Sequence, residues 1–380
     1  MEWPTDGYVV TPRPVIPLDA FNASAAALLS IHRDSKVTSY ISNLDVEVAA
    51  LEAGEVLLPV TVNHGDRANA WIASPVTAYC DYAVEEIDRL GHRVATAPLR
   101  WFTQGFGFLM RHAGIDNAVC VNNWLVSTNA YPDVSTARIG AIVEQARQRW
   151  PDRAIWFRSL NSAHSQGWID GLRAAGCALI PSRQVYLYAD VATLARKRSN
   201  ARRDLSLLRR SSLRCHAVGE LDDADYARIA DLYHALYIRK YSGLNPQYRA
   251  NLLKAWHIAG LLEMQGMRDA RGVLQAIVGT LRFGDLITCP IVGYDTQLPL
   301  QLGLYRMLMA AVLRQAMEND CLINLSAGAA HFKTQRGGQP AIEYNAVLAN
   351  HLPRSPRATL NALRQIAQRV GVPIMEHYKL

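Results

Sequence analysis

The residues most able to do chemistry lie in one segment of the chain, residues 272–338. Lys333 stands near its end, with Gly328 before it and Arg336 and a glycine pair after it. An ammonium beside a developing oxyanion stabilises the tetrahedral intermediate of acyl transfer, by a few kcal/mol in a dry site. The segment therefore has residues suited to acyl transfer, provided that the fold brings Lys333 to a reacting carbonyl.

Three elements of this segment must position such a site. The run GVLQAIVGTLRFGDLITCPIVGYDT is apolar and β-branched and is interrupted at Gly284-Asp285, which predicts two strands joined as a hairpin. From Gly303 to Asn319, apolar residues recur at close to every 3.6 positions, which predicts a helix. CLINLSAG then indicates a buried strand that ends in small residues, directly before AAHFKTQRGG.

Length and composition indicate a folded protein with two domains. The 380 residues are enough for two cores of roughly 150 to 200 residues each. Half of the residues are hydrophobic and 19% are charged, which excludes a disordered chain. No apolar run approaches the ~18 residues of a membrane span, and the N-terminus MEWPTDGYVV lacks the features of a signal peptide. We therefore expect a cytoplasmic protein.

The cysteines predict neither disulfides nor a metal site. They lie far apart, mostly within apolar runs, and form no CxxC pair. We expect buried, reduced thiols at all six positions, which are Cys80, Cys120, Cys177, Cys215, Cys289 and Cys321.

The net charge of +7 is concentrated in one short stretch. Between Leu194 and Arg214 eight residues are basic and only Asp204 is acidic, so the remainder of the chain is neutral in sum. Leucines and an alanine recur along one side of this stretch, which predicts one amphipathic helix over residues 194–214 with the arginines on its exposed faces. Such a surface could contact phosphates, and an ordinary solvated face is the alternative.

The remaining elements follow a simple order. Strands and helices alternate up to about Asp190, which indicates an α/β domain. After the basic stretch, two helices, Asp223 to Tyr241 and Arg249 to Gln265, precede the hairpin. The strand IEYNAVLANHL and a helix near residues 357–370 end the chain.

This order and two stretches of sequence resemble the GNAT acyltransferases. A pair of helices, an antiparallel hairpin, a loop, a helix and a strand is the order of the GNAT fold. IVGYDTQLPLQLGLYRMLMAAVLRQA and INLSAGAAHFKTQRGG resemble the tandem-GNAT acyltransferases that are related to the Fem aminoacyl transferases. The resemblance implies an α/β fold with mixed sheets and two tandem GNAT-like domains, residues 1–190 and 191–380, the first of them degenerate.

The resemblance also implies where the acyl donor lies. The donor would occupy a splay between the strand ending near Tyr294 and the strand ending near Ser326. Strand-end amides can hydrogen-bond a thioester or ester carbonyl, and the N-terminus of the helix at Gly303 offers amides to a phosphate. The donor-binding residues predicted in this way are Tyr294, Gln301, Gly303, Ser326, Gly328 and Arg336.

The catalytic residues implied by the resemblance are Lys333, Tyr305 and Tyr344. Lys333 would contact the donor or the developing charge, and either tyrosine could donate a proton to the leaving group. His331 and His351 are candidates for the general base. Solvent or a tyrosine could deprotonate the amine instead, so that positioning supplies much of the rate.

The turn between the two helices that follow the basic stretch is predicted to border the acceptor. Lys240, Tyr241 and Asn245 lie in this turn, and a plain interhelical loop is the alternative. We expect an N-acyltransferase that moves an acyl group, with acyl-CoA as its donor, onto an amine of a small metabolite or an envelope precursor.

Two alternatives stay open. Acetyl-CoA-dependent GNAT proteins usually carry a phosphate loop of the form Gln/Arg-x-x-Gly-x-Gly/Ala, whereas residues 301–305 contain one glycine. An aminoacyl-tRNA donor would contact the basic stretch through Arg196, Arg202, Arg203, Arg209 and Arg210. A non-catalytic GNAT-like module that binds nucleic acid or an acidic partner is the other alternative.

Overall fold

The computed structural model describes residues 12–65, 69–89, 93–217 and 221–378. Its centre is one mixed sheet of eleven strands that runs through both halves of the chain. The strands are β1 (Glu47–Ala53), β2 (Val56–His64), β3 (Asn117–Val121), β4 (Ala154–Leu160), β5 (Ala178–Tyr188), β6 (Arg214–Ala217), β7 (Glu263–Arg268), β8 (Leu274–Phe283), β9 (Leu286–Tyr294), β10 (Leu322–Asn324) and β11 (Gln339–Leu348).

Helices cover both faces of this sheet. π-helical turns continue two of them, at His234–Tyr241 after α8 and at Ala367–Gly371 after α12. The α-helices of the described residues are α1 (Leu18–Ile31), α2 (Tyr82–Arg89), α3 (Arg93–His112), α4 (Thr136–Arg149), α5 (Ser162–Ala174), α6 (Val191–Lys197), α7 (Ser199–Arg210), α8 (Asp223–Tyr233), α9 (Ala250–Ile258), α10 (Leu304–Glu318), α11 (Ala330–Gln335), α12 (Arg354–Ile366) and α13 (Val372–Tyr378).

The strand order, β1-β2-β3-β4-β11-β5-β10-β9-β8-β7-β6, divides the sheet into two similar halves. In the first half the antiparallel strands β1, β2 and β3 end in the parallel pair β3-β4. In the second half the antiparallel strands β7, β8 and β9 end in the parallel pair β9-β10. The last strand of each half crosses into the other half, because β11 pairs with β4 and β5 pairs with β10. β5 and β11 also pair with each other, so the halves share the centre of one sheet.

Burial on both faces explains the nearly continuous apolar sequences of the central strands. In β4 every residue is buried. A large apolar cluster contains α1, α4, α5, α8 and α9, and a second contains α6, α7 and α10. A third cluster packs α3 and α12 against β3, β4, β5 and β11.

The elements predicted between residues 272 and 338 are confirmed. They are the hairpin β8-β9, the helix α10 and the strand β10. Gly284 turns the hairpin with a φ of +57°, where a side chain would meet the Val15 carbonyl oxygen at 2.1 Å. The turn therefore requires glycine both for its backbone conformation and for space.

Two predicted helices are wrong in extent. The basic stretch forms two helices, α6 and α7, because Arg198 between them has an extended backbone with a ψ of 114°. The predicted helix from Arg249 to Gln265 ends at Ile258, since Gly260 adopts a φ of +72° and β7 begins at Glu263. In both cases the apolar pattern of the sequence continues past the residue at which the backbone leaves the helix.

The described cysteines are free thiols, as predicted for Cys80, Cys120, Cys177, Cys289 and Cys321. The side chain of Cys215 lies outside the described residues. Within the part of the chain that the structure describes, no helix is long and apolar enough to cross a membrane. The same residues contain no group of His, Cys, Asp and Glu side chains that could hold a metal ion.

His32, directly after α1, should make stability depend on pH. The side chain is 6% exposed, both ring nitrogens lack a partner, and burial lowers the pKa of the imidazole to about 4. As the pH falls from 6.5 to 4, His32 becomes protonated in the unfolded chain but stays neutral in the folded chain. The free energy of unfolding therefore decreases, by up to roughly 3 kcal/mol. His32→Leu should remove this loss in urea unfolding at pH 7.5 and 4.5.

The exposed residue His331 provides the matched control, as His331→Gln. If the unaltered protein and His32→Leu lose the same free energy of unfolding between pH 7.5 and 4.5, the pH dependence does not come from His32.

Candidate functional site

The candidate site is an opening where β9 and β10 separate. The two strands pair only between Leu286–Thr288 and Leu322–Asn324. Directly afterwards β9 has a bulge, in which Cys289 and Pro290 lie opposite Thr280 of β8. From Cys289 to Tyr294 the edge of β9 that faces away from β8 has no strand beside it in the described sheet. Its backbone groups can therefore receive the polar atoms of a ligand.

The other side of the opening is the loop that follows β10. Leu325 and Ser326 turn toward β5, where the Leu325 amide donates to the Tyr186 carbonyl at 3.0 Å and the Tyr186 amide donates to the Ser326 carbonyl at 3.2 Å. Ser326, Gly328 and Ala329 have φ values of +59°, +77° and +51°. Three left-handed residues in so short a stretch form a sharply bent loop that needs external support.

Lys333 supplies that support from α11. Its Nζ donates to the carbonyl oxygens of Leu325 at 2.7 Å, Ser326 at 3.1 Å and Ala327 at 2.7 Å. The side chain is 3% exposed. Burial lowers the pKa of Lys333 to about 7, while each accepting carbonyl favours the ammonium form. All three ammonium protons are used, so Lys333 holds the loop in this arrangement and does not point a free cation at a donor.

Tyrosines line the opening on the side of α10. The ring of Tyr305 lies 6.3 Å from that of Tyr294 and 4.8 Å from that of Phe332. Burial raises the pKa of Tyr305, and the neighbouring Tyr241 raises it further. The Tyr305 hydroxyl therefore stays protonated and can donate.

Tyr344 lies elsewhere in the structure. It is on β11, opposite Leu160 of β4 and Pro181 of β5. It packs against the large apolar cluster, whereas Tyr305 packs against the cluster around α10. The structure thus does not bring together the two tyrosines that the sequence suggested as proton donors.

Gly303 begins α10, but its immediate neighbour is α7. The residue caps the helix with a φ of +67°, and a side chain there would meet Cδ2 of Leu207 at 2.8 Å. The glycine is therefore required by the left-handed cap and by the packing of α7. Gln301 precedes it in an exposed 3₁₀ turn, Leu300–Leu302.

Asp204 ties α7 to the site. Its carboxylate is 1% exposed and accepts from Nε of Arg306 at 2.6 Å and from Nε of Arg336 at 2.5 Å. The guanidinium of Arg336 also lies 3.4 Å from the centre of the Phe332 ring. Arg336, predicted to contact the donor, is thus held in a buried ion pair.

The remaining basic residues of α6 and α7 face solvent. Asp204 is buried on the inner side of α7, and the outer side carries arginines close to the N-terminus of α10. The exposed arginines are Arg196, Arg202, Arg203, Arg209 and Arg210. The positive charge that the sequence placed here therefore faces outward beside the start of α10.

The predicted acceptor turn divides into an exposed and a buried part. Lys240 is exposed and Tyr241 is 43% exposed. Asn245 is 7% exposed; its Oδ1 accepts from Nε1 of Trp71 at 3.0 Å, and its Nδ2 donates to the Tyr237 carbonyl at 3.0 Å. Asn245 therefore fixes the turn to the first half of the chain, whereas Lys240 and Tyr241 face outward.

Two arginines at the junction of the halves, Arg158 buried and Arg183 partly buried, were not found from the sequence. The guanidinium groups of Arg158 and Arg183 each lie 5.1 Å from the centre of the Trp71 ring. Arg183 donates to Glu343 at 2.6 Å and to Oγ of Ser326 at 2.9 Å, so it supports the loop from the other side. A single arginine inside each of two apolar strands was the signal that could have found them.

The histidine candidates differ in position. His331 is exposed on α11, with Nε2 2.7 Å from Nε2 of Gln335. His351 follows β11, and its Nε2 lies 3.0 Å from the Arg153 carbonyl in the first half. His351 is therefore occupied away from the opening.

In the first half a loop occupies the corresponding position. After the parallel pair β3-β4, residues 122–131 fold back into the space beside β3. Trp124 is 1% exposed and donates to Oδ1 of Asn122 at 2.7 Å; Tyr131 is 5% exposed. Nδ2 of Asn122 donates to the Ala130 carbonyl at 2.7 Å. The side chains of this loop fill the space beside β3. The corresponding position in the second half is the edge of β9 after Thr288, which has no strand beside it in the described sheet.

Comparisons with known proteins identify the second half. Residues 195–334 match the family model for the acetyltransferase (GNAT) domain. No curated protein matches the chain.

Several solved structures are similar in fold. L-PGS from Bacillus licheniformis is 13% identical, over 62% of this chain and 79% of that one, with a TM-score of 0.45. FemX is 9% identical, over 56% and 77%, with a TM-score of 0.44. A tandem GNAT protein from the clavulanic acid biosynthesis pathway is 13% identical, over 56% and 69%, with a TM-score of 0.34. Likenesses this distant bear on neither substrate nor donor.

The matched segment contains the opening, Lys333 and α10. The strand order adds a first half of similar topology. The second half of the chain therefore contains a GNAT acetyltransferase domain, and the first half has a similar order of strands.

Proposed function

We propose that the protein is an N-acyltransferase that binds a phosphate-bearing acyl donor in the opening between β9 and β10 and transfers the acyl group to an amine. The opening itself carries this proposal, because β9 loses its neighbour at Cys289 and Lys333 holds the loop on the opposite side. Amides on such an edge can hydrogen-bond the carbonyl of a thioester or ester and stabilise the oxyanion that forms from it.

The reaction then needs positioning and one proton. The amine nitrogen forms a bond to the acyl carbon, the bond from that carbon to the carrier breaks, and the amine loses its proton to solvent. Tyr305 is suited to protonate the leaving group, because burial keeps its hydroxyl protonated. Lys333 is a positioning residue in this scheme, since its protons are bound to the loop carbonyls.

An acyl-CoA is the first candidate for the donor. Its phosphates would lie near the N-terminus of α10, where the helix dipole favours negative charge. The exposed arginines of α7 beside this end supply cations. The loop at residues 301–305 has only one glycine, Gly303, and this glycine is packed against Leu207. The arginines could supply phosphate contacts that this loop does not make.

An aminoacyl-tRNA is the second candidate, and the extent of the basic surface favours it. Exposed arginines extend from Arg196 on α6 to Arg210 on α7, which is a longer row than the phosphates of one CoA need. A polynucleotide backbone would use the whole row.

The acceptor amine would enter from the turn at Lys240 and Tyr241. Tyr241 is partly exposed and lies close enough to Tyr305 to raise the pKa of that residue. An amine held at this turn would therefore be near the opening. The amine of a small metabolite or of an envelope precursor would fit this description.

A thermal-shift comparison of acetyl-CoA, longer acyl-CoAs and charged tRNA should identify the donor. A donor present at 100 times its Kd stabilises the folded protein by about 2.7 kcal/mol. Stabilisation by one donor class, followed by transfer of its acyl group to an amine, is the expected result. If no donor stabilises the protein and none is consumed, the chain is a binding module and the proposal is wrong.

Replacing Lys333 should impair transfer more than stability. Lys333→Met removes the three bonds that hold the loop, and a misplaced donor costs roughly 100-fold in kcat/KM. Lys254→Met removes an exposed lysine that pairs with Asp223, and it should leave kcat/KM unchanged. Folded Lys333→Met protein with full kcat/KM would show that the loop does not position the donor.

Neutralising the basic surface should separate the two donors. Replacing Arg202, Arg203, Arg209 and Arg210 by Gln should weaken tRNA binding and flatten its dependence on salt. The matched control neutralises four exposed arginines elsewhere, Arg33, Arg173, Arg249 and Arg271. Equal effects of the two variants would mean that α7 makes no specific phosphate contact.

A further inference from the structure

The outer side of α3 carries large apolar side chains that no other described residue covers. Trp101 is 76% exposed, Phe108 72%, Phe102 53% and Leu109 46%. The spacing from Trp101 to Phe108 and from Phe102 to Leu109 is seven residues, which places all four on one side of the helix. These four residues form the aromatic face of α3.

Exposed apolar residues are concentrated on α3. Of the twelve large apolar residues that are exposed in the described part of the chain, four lie on α3 and two on the C-terminal helical segment, 354–378. The two in the C-terminal segment are Val370 at 42% and Tyr378 at 44%. The inner side of α3 is, by contrast, well packed, since Met110 is fully buried. The aromatic face is thus additional to the residues that hold α3 on the protein.

The C-terminal segment adds positive charge beside this face. α12 packs next to α3, and both helices belong to the apolar cluster on one face of the sheet. Both helices therefore cover the same face of the sheet. Between residues 354 and 378 four arginines stand against one glutamate. Arg354, Arg357 and Arg369 are exposed, whereas Arg100 and Arg111 of α3 are paired with Asp88 and Asp81.

We propose that the aromatic face of α3, together with the exposed arginines of the C-terminal segment, docks the protein on an anionic membrane surface. A helix that lies in the interface of a bilayer has this composition, with Trp, Phe and Leu toward the acyl chains and cations toward the headgroups. Arginines near an anionic leaflet add electrostatic attraction to it.

A second copy of the chain fits this surface less well. A two-fold contact places the same patch on both partners, so the arginines of one copy would face the arginines of the other. Like charges brought together in this way oppose association. An anionic surface complements both parts of the patch.

The test is flotation with vesicles of phosphatidylglycerol and phosphatidylcholine, compared with vesicles of phosphatidylcholine alone. The full chain should bind the anionic vesicles, more weakly as salt rises, and its tryptophan fluorescence should shift to shorter wavelength. The double variant Trp101→Ala, Phe108→Ala should weaken binding to the vesicles roughly 100-fold, because it removes two rings that would be buried in the bilayer. Both residues are exposed, so this variant should keep its Tm.

Two further variants complete the experiment. Ile258→Ala with Val273→Ala removes two exposed apolar residues outside the patch and should bind like the unaltered chain. Arg354→Gln, Arg357→Gln and Arg369→Gln should abolish the preference for anionic vesicles. The proposal is overturned if the chain does not bind anionic vesicles, or if the variant Trp101→Ala, Phe108→Ala binds them as well as the unaltered chain does. A dimer in light scattering that the same ring variant dissociates would also overturn it.

Discussion

The pairing of β5 with β11 is the constraint on which the rest of the structure depends. Each of these strands ends one half of the chain and is inserted beside the parallel pair of the other half. Neither half can complete its sheet without the other, so the two halves form one continuous sheet. Arg183 on β5 and Glu343 on β11 lie opposite each other and form a buried pair. Through Ser326, this pair also reaches the loop beside the opening.

The two halves use similar topology for different purposes. In each half a parallel pair of strands separates, which leaves space beside a strand edge. In the first half residues 122–131 fill that space, and buried side chains such as Trp124 add to the common core. In the second half the edge of β9 after Thr288 has no strand beside it in the described sheet, and Lys333 holds the loop that follows β10. In the proposed function, stability and ligand binding are divided in this way between the halves of one sheet.

Local pattern was enough to predict the hairpin, α10 and β10, because alternation and helical spacing depend on neighbouring residues. It also located the segment in which the opening lies. It did not reveal that Lys333 binds three carbonyls or that Asp204 holds Arg336, since these contacts join residues that fold together only in three dimensions. In a sequence, a lysine that supports a bent loop and a lysine that stabilises an oxyanion can both stand near glycines. Only the three-dimensional contacts distinguish these two roles. The arginines of β4 and β5 were similarly hidden in apolar strands.

The central claim is that an acyl donor binds in the opening of the second half. Hydrogen–deuterium exchange with and without the donor tests it most directly, because amides that bind a carbonyl exchange more slowly. The account predicts protection of peptides that cover residues 289–294 and 325–333, with no change in residues 117–131 of the first half. Protection of residues 117–131, or a donor that is transferred without protecting residues 289–294, would contradict it.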